Sequence, residues 1–348
     1  MRRIRGLAFA LLMGTSIAGA NAQSVEQMKS GDNWELVFGS ASATGTYFAG
    51  MSALAAMISQ EMPNVRATAT VSPGSAMEVF PQMMRGERAG GMHVSYDLQT
   101  GYEGTGSFTG RKIPVRTWFF AQEAAYNVFV LERHGITSVE GLKDSGLAIG
   151  GPVVTVSPDR PERWDQAFAF LHALLDAHGV DAFEDIDVKP YNTSQSIEQL
   201  GNGTIDGLSA SRALGSGAVT ELSTRQNIVL LQPDPEKIEA VEAVFPVYAQ
   251  EFPKDAYPNI TVPEPGVAFF HGVYATLHED LPDDLAYDLT KTVWENIDIL
   301  RNAHPAFRVA KLEDALKGAT VPPHPGALRY YLEHDVPGAK EWAERIGD

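Results

Sequence analysis

The hydrophobic period changes repeatedly along this chain, and that alternation restricts the fold more than any single motif. An apolar run at 34–38 is followed by Phe48, Met51, Leu54, Ala55 and Ile58 at helical spacing. Val65, Ala67, Ala69 and Val71 then alternate with Arg66, Thr68 and Thr70, which is the period of a strand. Pro73-Gly74 breaks the chain, Ser75 can cap a helix running to about Arg85, and 90–94 reads as a third strand. This β-α-β-α-β order predicts an α/β fold with a mostly parallel sheet and helices on both faces.

Residues 113–131 are rich in aromatic and β-branched side chains, and their length suggests two strands joined by a bend near 122–124, a crossover between lobes. A second α/β series follows. It has a strand at 147–150, a helix marked by Ala167, Phe168, Leu171, Leu174 and Leu175 that ends near Gly179, and strands at 186–189, 205–208 and 227–231. Ser194 is a possible cap for a helix to about Leu200. Proline and acidic residues are dense at 233–265, which reads as loops and a return crossing before a long strand at 267–277. Leu285, Leu289, Val293, Ile297 and Leu300 share one helix face, and short helices fill the remainder. Two α/β lobes are expected. The first takes 30–120 plus 250–348 with the C-terminal helices, and the second takes 121–249.

A chain of 348 residues is long enough for two cores. The absence of cysteine excludes a disulfide framework, Cys-ligated zinc or iron–sulfur centres and a thiol nucleophile. A net charge of −17 is unsuited to sequence-independent nucleic-acid binding, so no nucleic-acid partner is expected. Arg2, Arg3 and Arg5 precede a short apolar core at 7–13 and the small residues of Ala20-Asn21-Ala22, the pattern of a secretory signal (1–22) cut before Gln23. The apolar run is shorter than the roughly 20 residues a membrane span needs. The expected product is exported and not membrane-spanning after cleavage, which in a Gram-negative cell means the periplasm.

Motifs for chemistry fail on spacing. In 101–112 (GYEGTGSFTGRK) five residues separate Gly104 from Gly110 and Arg111 follows, so this is no phosphate loop. Nine histidines are scattered without H-E-x-x-H, and His172 and His178 fall on different faces of a helix. Asp181, Glu184, Asp185 and Asp187 do not follow calcium-loop spacing, and no G-x-S-x-G occurs. No catalytic residue, metal or cofactor is expected, and the chain does not read as an enzyme.

Turns rich in small polar residues remain. Ser42, Ala43 and Thr44 with Tyr47 leave a strand and open a helix, where backbone N–H groups and hydroxyls can hold a carboxylate or can serve only as caps. Gly74 and Ser75 repeat the arrangement after the next strand, and such turns converge at the C-terminal edge of a doubly wound sheet. Tyr96 suits a ligand wall or a core equally, and Asp97 can receive an ammonium group or cap a helix. In the second lobe Ser209-Ala210-Ser211-Arg212 reads as leaving a strand, with Arg212 placed to grip a carboxylate or to form a surface salt bridge.

Taken together, these segments resemble the TAXI family, the TRAP-associated extracytoplasmic immunogenic proteins. Thr44-Gly45-Thr46-Tyr47 is similar to its T-G-x-Y opening, Gly74-Ser75 to its G-S turn, and YEGTGSF at 102–108 to its Y-x-G-T-G-x-F stretch. Gly135-Ile136 with 138–143 is similar to its G-I-x-S-x-x-D-L-K segment. The longest match is 281–300, followed by His304-Pro305 and His324-Pro325-Gly326-Ala327, so the resemblance runs from about Trp34 to the C-terminus. It implies a two-lobe periplasmic-binding-protein fold, type II-like and hinged, that closes on glutamate or another small organic anion such as a dicarboxylate or keto acid. It further implies delivery to the membrane permease of a TRAP transporter; the alternative from another class is a periplasmic sensor that presents ligand to a histidine kinase, and the sequence does not separate the two. Carried over by position, Ser42 to Thr44, Tyr47, Gly74 and Ser75 line the first-lobe wall. Tyr96 falls where the family often has Asp, with Asp97 its displaced neighbour, and Arg212 where small apolar residues are common. Either Ser157, Arg160 or Arg163 stands in for the family's second-lobe turn, or that loop moves away from the ligand.

Overall fold

The computed structural model describes residues 25–40, 46–72, 78–151 and 155–347. The first half builds strands β1 (Lys29–Ser30), β2 (Asn33–Ser40), β3 (Val65–Val71) and β4 (Gly90–Val94) with helices α1 (Thr46–Glu61), α2 (Val79–Met84) and α3 (Ser95–Glu103). β2 is parallel to both β3 and β4. The chain then enters β5 (Val115–Leu131), an uninterrupted strand of 17 residues.

β5 delivers the chain to a second parallel group of β6 (Ala148–Gly150), β7 (Asp187–Lys189) and β8 (Gly207–Arg212), with α4 (Gln166–Ala177), α5 (Thr193–Gly201) and α6 (Gly217–Arg225) between and after them. Then come β9 (Ile228–Leu230), α7 (Ile238–Val244), β10 (Tyr248–Glu251) and β11 (Ile260–Thr261), before β12 (Val267–His278) returns. Helices α8 (Asp283–Glu295), α9 (Ile297–Ala303), α10 (Pro325–Glu333) and α11 (Ala339–Gly347) complete the chain. The strand path is β1-β2-β4-β12-β5-β8-β6-β7.

The sheet is therefore mixed rather than mostly parallel. Each half keeps its parallel group, but β5 and β12 pair antiparallel over Val115–Tyr126 and Phe269–His278, because a strand that leaves one half must be matched by one that comes back. Both are buried on two faces, so they read as nearly continuous apolar runs instead of alternating ones. On β5, Trp118, Phe119 and Ala121 enter the core shared with α1, α8 and α10. Val128 and Val130 enter the core under α4, while Phe129 and Leu131 enter the one under α5 and α6.

The two strands expected from the length of 113–131 are one, β5, and its pairing with β12 shifts register between Phe120 and Gln122, beside the expected bend. Glu123 lies inside the strand, where its carboxylate accepts from Lys317 Nζ at 2.9 Å, Gln250 Nε2 at 3.3 Å and the Tyr248 hydroxyl. These bonds hold Glu123 below the usual carboxylate range against its burial. Lys317 follows part of the first core, and Tyr248 and Gln250 sit on β10, so the carboxylate clasps the two halves where they join.

Other boundaries move too. Asn192, not Ser194, caps α5, in a capping box with Gln195. The helix face from Leu285 to Leu300 breaks at Asn296. The loop region 233–265 contains α7 and two short strands. Gly90 is forced by close approach of β12: a Cβ there falls 1.9 Å from the Thr276 carbonyl oxygen. Gly90→Ala must push main chain apart in the sheet centre. We expect a loss at or above the upper end of about 1–3 kcal/mol, read as a lower urea midpoint.

Candidate functional site

The charged and aromatic groups gather where the two halves face each other. Tyr47 is the second residue of α1, and Tyr96 and Asp97 lie in the first turn of α3, directly after β4. Across from them stand Tyr126 on β5, Asp165 at the N-cap of α4, and Arg212 at the end of β8. Ser95 Oγ donates to the Pro246 carbonyl at 3.0 Å, and the Tyr96 ring stacks on Phe245 with centroids 4.7 Å apart. These two contacts pin α3 against the end of α7. The packing gives Tyr96 a core role, whatever else its hydroxyl does.

Asp97 is 5% exposed, and no donor among the described residues pairs with its carboxylate. It does not cap α3, whose N-cap is Val94. Burial, with the Asp165 carboxylate adding to it, pushes its pKa from 3.8 up to about 7. The native state therefore binds a proton that the unfolded chain has released between about pH 4 and pH 7. Stability from this group is full below about pH 4, falls as pH rises through that window, and is level above it. The fall is on the order of 4 kcal/mol. Asp97→Asn is expected to abolish that slope, so that unfolding free energies at pH 5 and pH 8 converge. An unchanged slope contradicts it.

Arg212 is half-buried and has no ion pair or side-chain hydrogen bond to a described residue, so the surface salt bridge is not seen there. Burial lowers its pKa, opposed by the Tyr47 and Tyr257 hydroxyls. Tyr47 is itself pushed up by burial and by Asp97, while Arg212 pulls the other way, so it stands between opposite charges. Tyr126 donates to Gln166 Oε1 at 2.8 Å, stacks on Phe170 at 4.3 Å, and is raised by burial in the fields of Asp97 and Asp165. At neutral pH these phenols remain protonated donors.

Ser209 to Arg212 are strand, not a turn, and Ser211 sits beside Tyr126 in the β8–β5 register. Its Oγ lies 2.6 Å from His271 Nε2, and His271 Nδ1 lies 3.2 Å from the Gly272 carbonyl. Burial lowers the imidazole to about 4, so it is neutral. With Nδ1–H bonded to that carbonyl, Nε2 accepts the Ser211 proton. No carboxylate among the described residues hydrogen-bonds the ring, and so weak a base does not make Ser211 a nucleophile.

Ser42, Ala43, Thr44, Gly74 and Ser75 lie outside the described residues, as does the segment 1–24. The structure brings Tyr47, Tyr96, Asp97 and Arg212 into one electrostatic group with Ser211 beside it. Ser157 and Arg163 do not join it. The Ser157 carbonyl accepts Trp164 Nε1 at 2.9 Å, and Arg163 is exposed on a 3-10 turn that approaches Gly106–Phe108 of the first half. No group of three or more acidic or histidine side chains among the described residues is arranged for a metal. Sequence reading missed Tyr126, Asp165, Tyr257 and His271. Asp165 was legible as an N-cap just before the helical pattern at Ala167 and Phe168. The other three look like core residues until their neighbours are known.

Two α/β halves, exchanged through two long strands and meeting where charged and phenolic side chains gather, define the two-lobe solute-binding-protein fold. The chain belongs to the NMT1-like family, which matches residues 38–334. Among solved structures it is similar to a Xanthomonas citri protein determined with ATP bound, at 10% identity over 89% of this chain and 98% of that one, with a TM-score of 0.50. A TctC solute-binding protein from Polaromonas shares 14% identity over 89% and 98%, with a TM-score of 0.46. A TRAP periplasmic solute-binding protein from Rhodobacter sphaeroides, in an open unliganded form, shares 13% over 89% and 96%, with a TM-score of 0.45. No helix among the described residues is long and apolar enough to cross a membrane.

Proposed function

We propose that this chain is an exported, non-catalytic receptor of the TAXI type. In this reading it captures a small organic anion (a glutamate-like amino acid, a dicarboxylate or a keto acid) by hinge closure, and passes it to the membrane permease of a TRAP transporter. The observation that carries the reading is Arg212. A guanidinium taken from water with no ion pair to a described residue is costly, and a ligand carboxylate gripped by its planar fork removes that cost. Tyr47 beside it is a neutral hydrogen-bond donor for the same anion, whereas the Tyr257 hydroxyl donates to the Ala213 carbonyl at 3.4 Å. Closure of the halves excludes water and strengthens each polar contact.

The test is calorimetry and thermal shift on protein lacking residues 1–22, against amino acids, keto acids and dicarboxylates. Saturable binding with a higher melting temperature is expected, since ligand at 100 times its Kd adds about 2.7 kcal/mol of stability. A panel with no binder ends this reading.

A further inference from the structure

We propose that the stack of Tyr96 on Phe245 is the bolt of the hinge. It holds the two halves in the arrangement seen here, and it sets how readily the molecule opens and how long it retains a solute. Retention rests on the receptor reading above; opening does not.

The halves are joined at a waist two strands wide. β4 pairs with β12 from Val273 to Leu277, and β10 pairs with the same edge of that strand from Val267 to Phe270. His271 and Gly272, between them, have no strand partner on that edge among the described residues. On the far side of β5, β8 joins only from Ala125. At Glu123–Ala124 and His271–Gly272 the sheet is therefore β5 and β12 alone, and their register shifts next to this stretch, between Val273 and Tyr274. A narrow ribbon beside a register irregularity bends more easily than the wider sheet above and below it.

Rotation at the waist moves the end of β4 against the start of β10, and side chains span that break. Ser95, next after β4, donates from Oγ to the carbonyl of Pro246, two residues before β10, at 3.0 Å. The Tyr96 ring lies 9° from parallel to that of Phe245, with centroids 4.7 Å apart. Tyr96 belongs by chain to the first half, yet its ring packs on the second core. Phe245 is fixed in that core, buried and edge-on to Tyr126 at 5.5 Å and Phe170 at 5.6 Å. At the other end of the Tyr96 ring, a Cβ placed on Gly106 falls 3.8 Å from the hydroxyl. The turn holding Gly106 also approaches Pro161–Arg163 of the second half. The glycine-rich stretch at 102–108 thus has a place in the same junction. Opening must slide the Tyr96 ring off its partner and return both apolar faces to water, and that is the resistance the bolt supplies.

The chain has no cysteine, so Gln60→Cys on α1 and Glu221→Cys on α6, both exposed, take spin labels at chosen positions. The distance between the labels reports the angle between the halves without any ligand. The doubly labelled natural background is expected to give one population. Tyr96→Ala is expected to shift or broaden it beyond its original width. Tyr96→Phe keeps the ring and is expected to leave it unchanged. Phe245→Leu keeps the second core filled but offers no flat face, and is expected to reproduce Tyr96→Ala. The second readout is the release rate of L-glutamate by stopped flow. It is expected to rise about fivefold or more in Tyr96→Ala and Phe245→Leu, and less than about twofold in Tyr96→Phe.

Unchanged distances in Tyr96→Ala, or in Phe245→Leu should the alanine variant not fold, overturn the bolt, whatever binds. Tyr96→Phe opening as far as Tyr96→Ala overturns it too, because the hydroxyl and not the stack is then the hold. Bound L-glutamate released at an unchanged rate from an opened variant overturns the role in retention, and the receptor reading then stands. If the distances move as stated and L-glutamate binds no form, the bolt holds and the assigned solute class is what fails.

Discussion

Arg212→Ala is expected to lower affinity for the captured solute at least 30-fold with the fold intact. Truncating one partner of a buried, hydrogen-bonded charge pair costs about 2–5 kcal/mol, much of it from the charge left alone in the site. Here the abandoned charge is the ligand carboxylate. The unliganded protein should melt no lower than before, because Arg212 makes no side-chain bond to a described residue and its removal relieves a desolvated charge. Loss of binding with an unchanged or raised melting temperature is therefore the expected pair of results. Arg212→Lys keeps the charge but not the fork and should fall between. Unchanged calorimetric affinity in the alanine variant removes this residue from the site and takes the carboxylate reading with it.

Trp118→Ala is expected to cause the largest loss of stability of any single truncation considered. Trp118 is fully buried at the centre of the first core. Its ring stacks with Phe38 at 6.0 Å and meets Phe119 edge-on at 5.2 Å, and its Nε1 donates to Thr290 Oγ1 at 3.0 Å. The Tyr331 hydroxyl donates to its carbonyl at 2.6 Å, so the strand, α8 and α10 all meet there. Removing such a ring costs about 3–5 kcal/mol through lost transfer free energy and the cavity left behind. Urea unfolding of the variant should show that drop, and Trp118→Phe should show a smaller one. A loss below about 1 kcal/mol would mean that the neighbouring helices collapse into the space more completely than a packed core allows.

The parts of this architecture that were legible in the sequence are those set by local period. The helical spacing from Phe48 to Ile58 and the alternation from Val65 to Val71 became α1 and β3, because each places one apolar face against the same core. The capping box of α5 was equally local, since Asn192 and Gln195 stand at the required spacing, and it was overlooked in favour of Ser194.

What stayed hidden depends on residues distant in sequence. The run 113–131 looked too long for one strand, because its two ends serve cores built from distant parts of the chain. The partners of Glu123, which are Tyr248, Gln250 and Lys317, are equally distant in sequence. Ser209, Ala210 and Ser211 looked like a turn because they lack β-branched bulk, yet Ser209 and Ala210 are buried between strands where small side chains fit. In the site, Asp97 and Arg212 were readable as residue types. That each is desolvated, and that an opposing carboxylate belongs to the same cleft, follows only from the way the two halves are joined.

The placement of the chain ends has a consequence for how this molecule is made. The outer core includes Val25 at one extreme and Trp342 at the other, whereas the core under α4 takes its buried members from Tyr126 to Phe269. A chain emerging from its N-terminus thus completes the inner half while the outer one still lacks its last helices. Contacts so far apart in sequence form late and slowly. The outer half therefore reaches its native packing only when α11 docks, whereas the core under α4 needs nothing beyond β12.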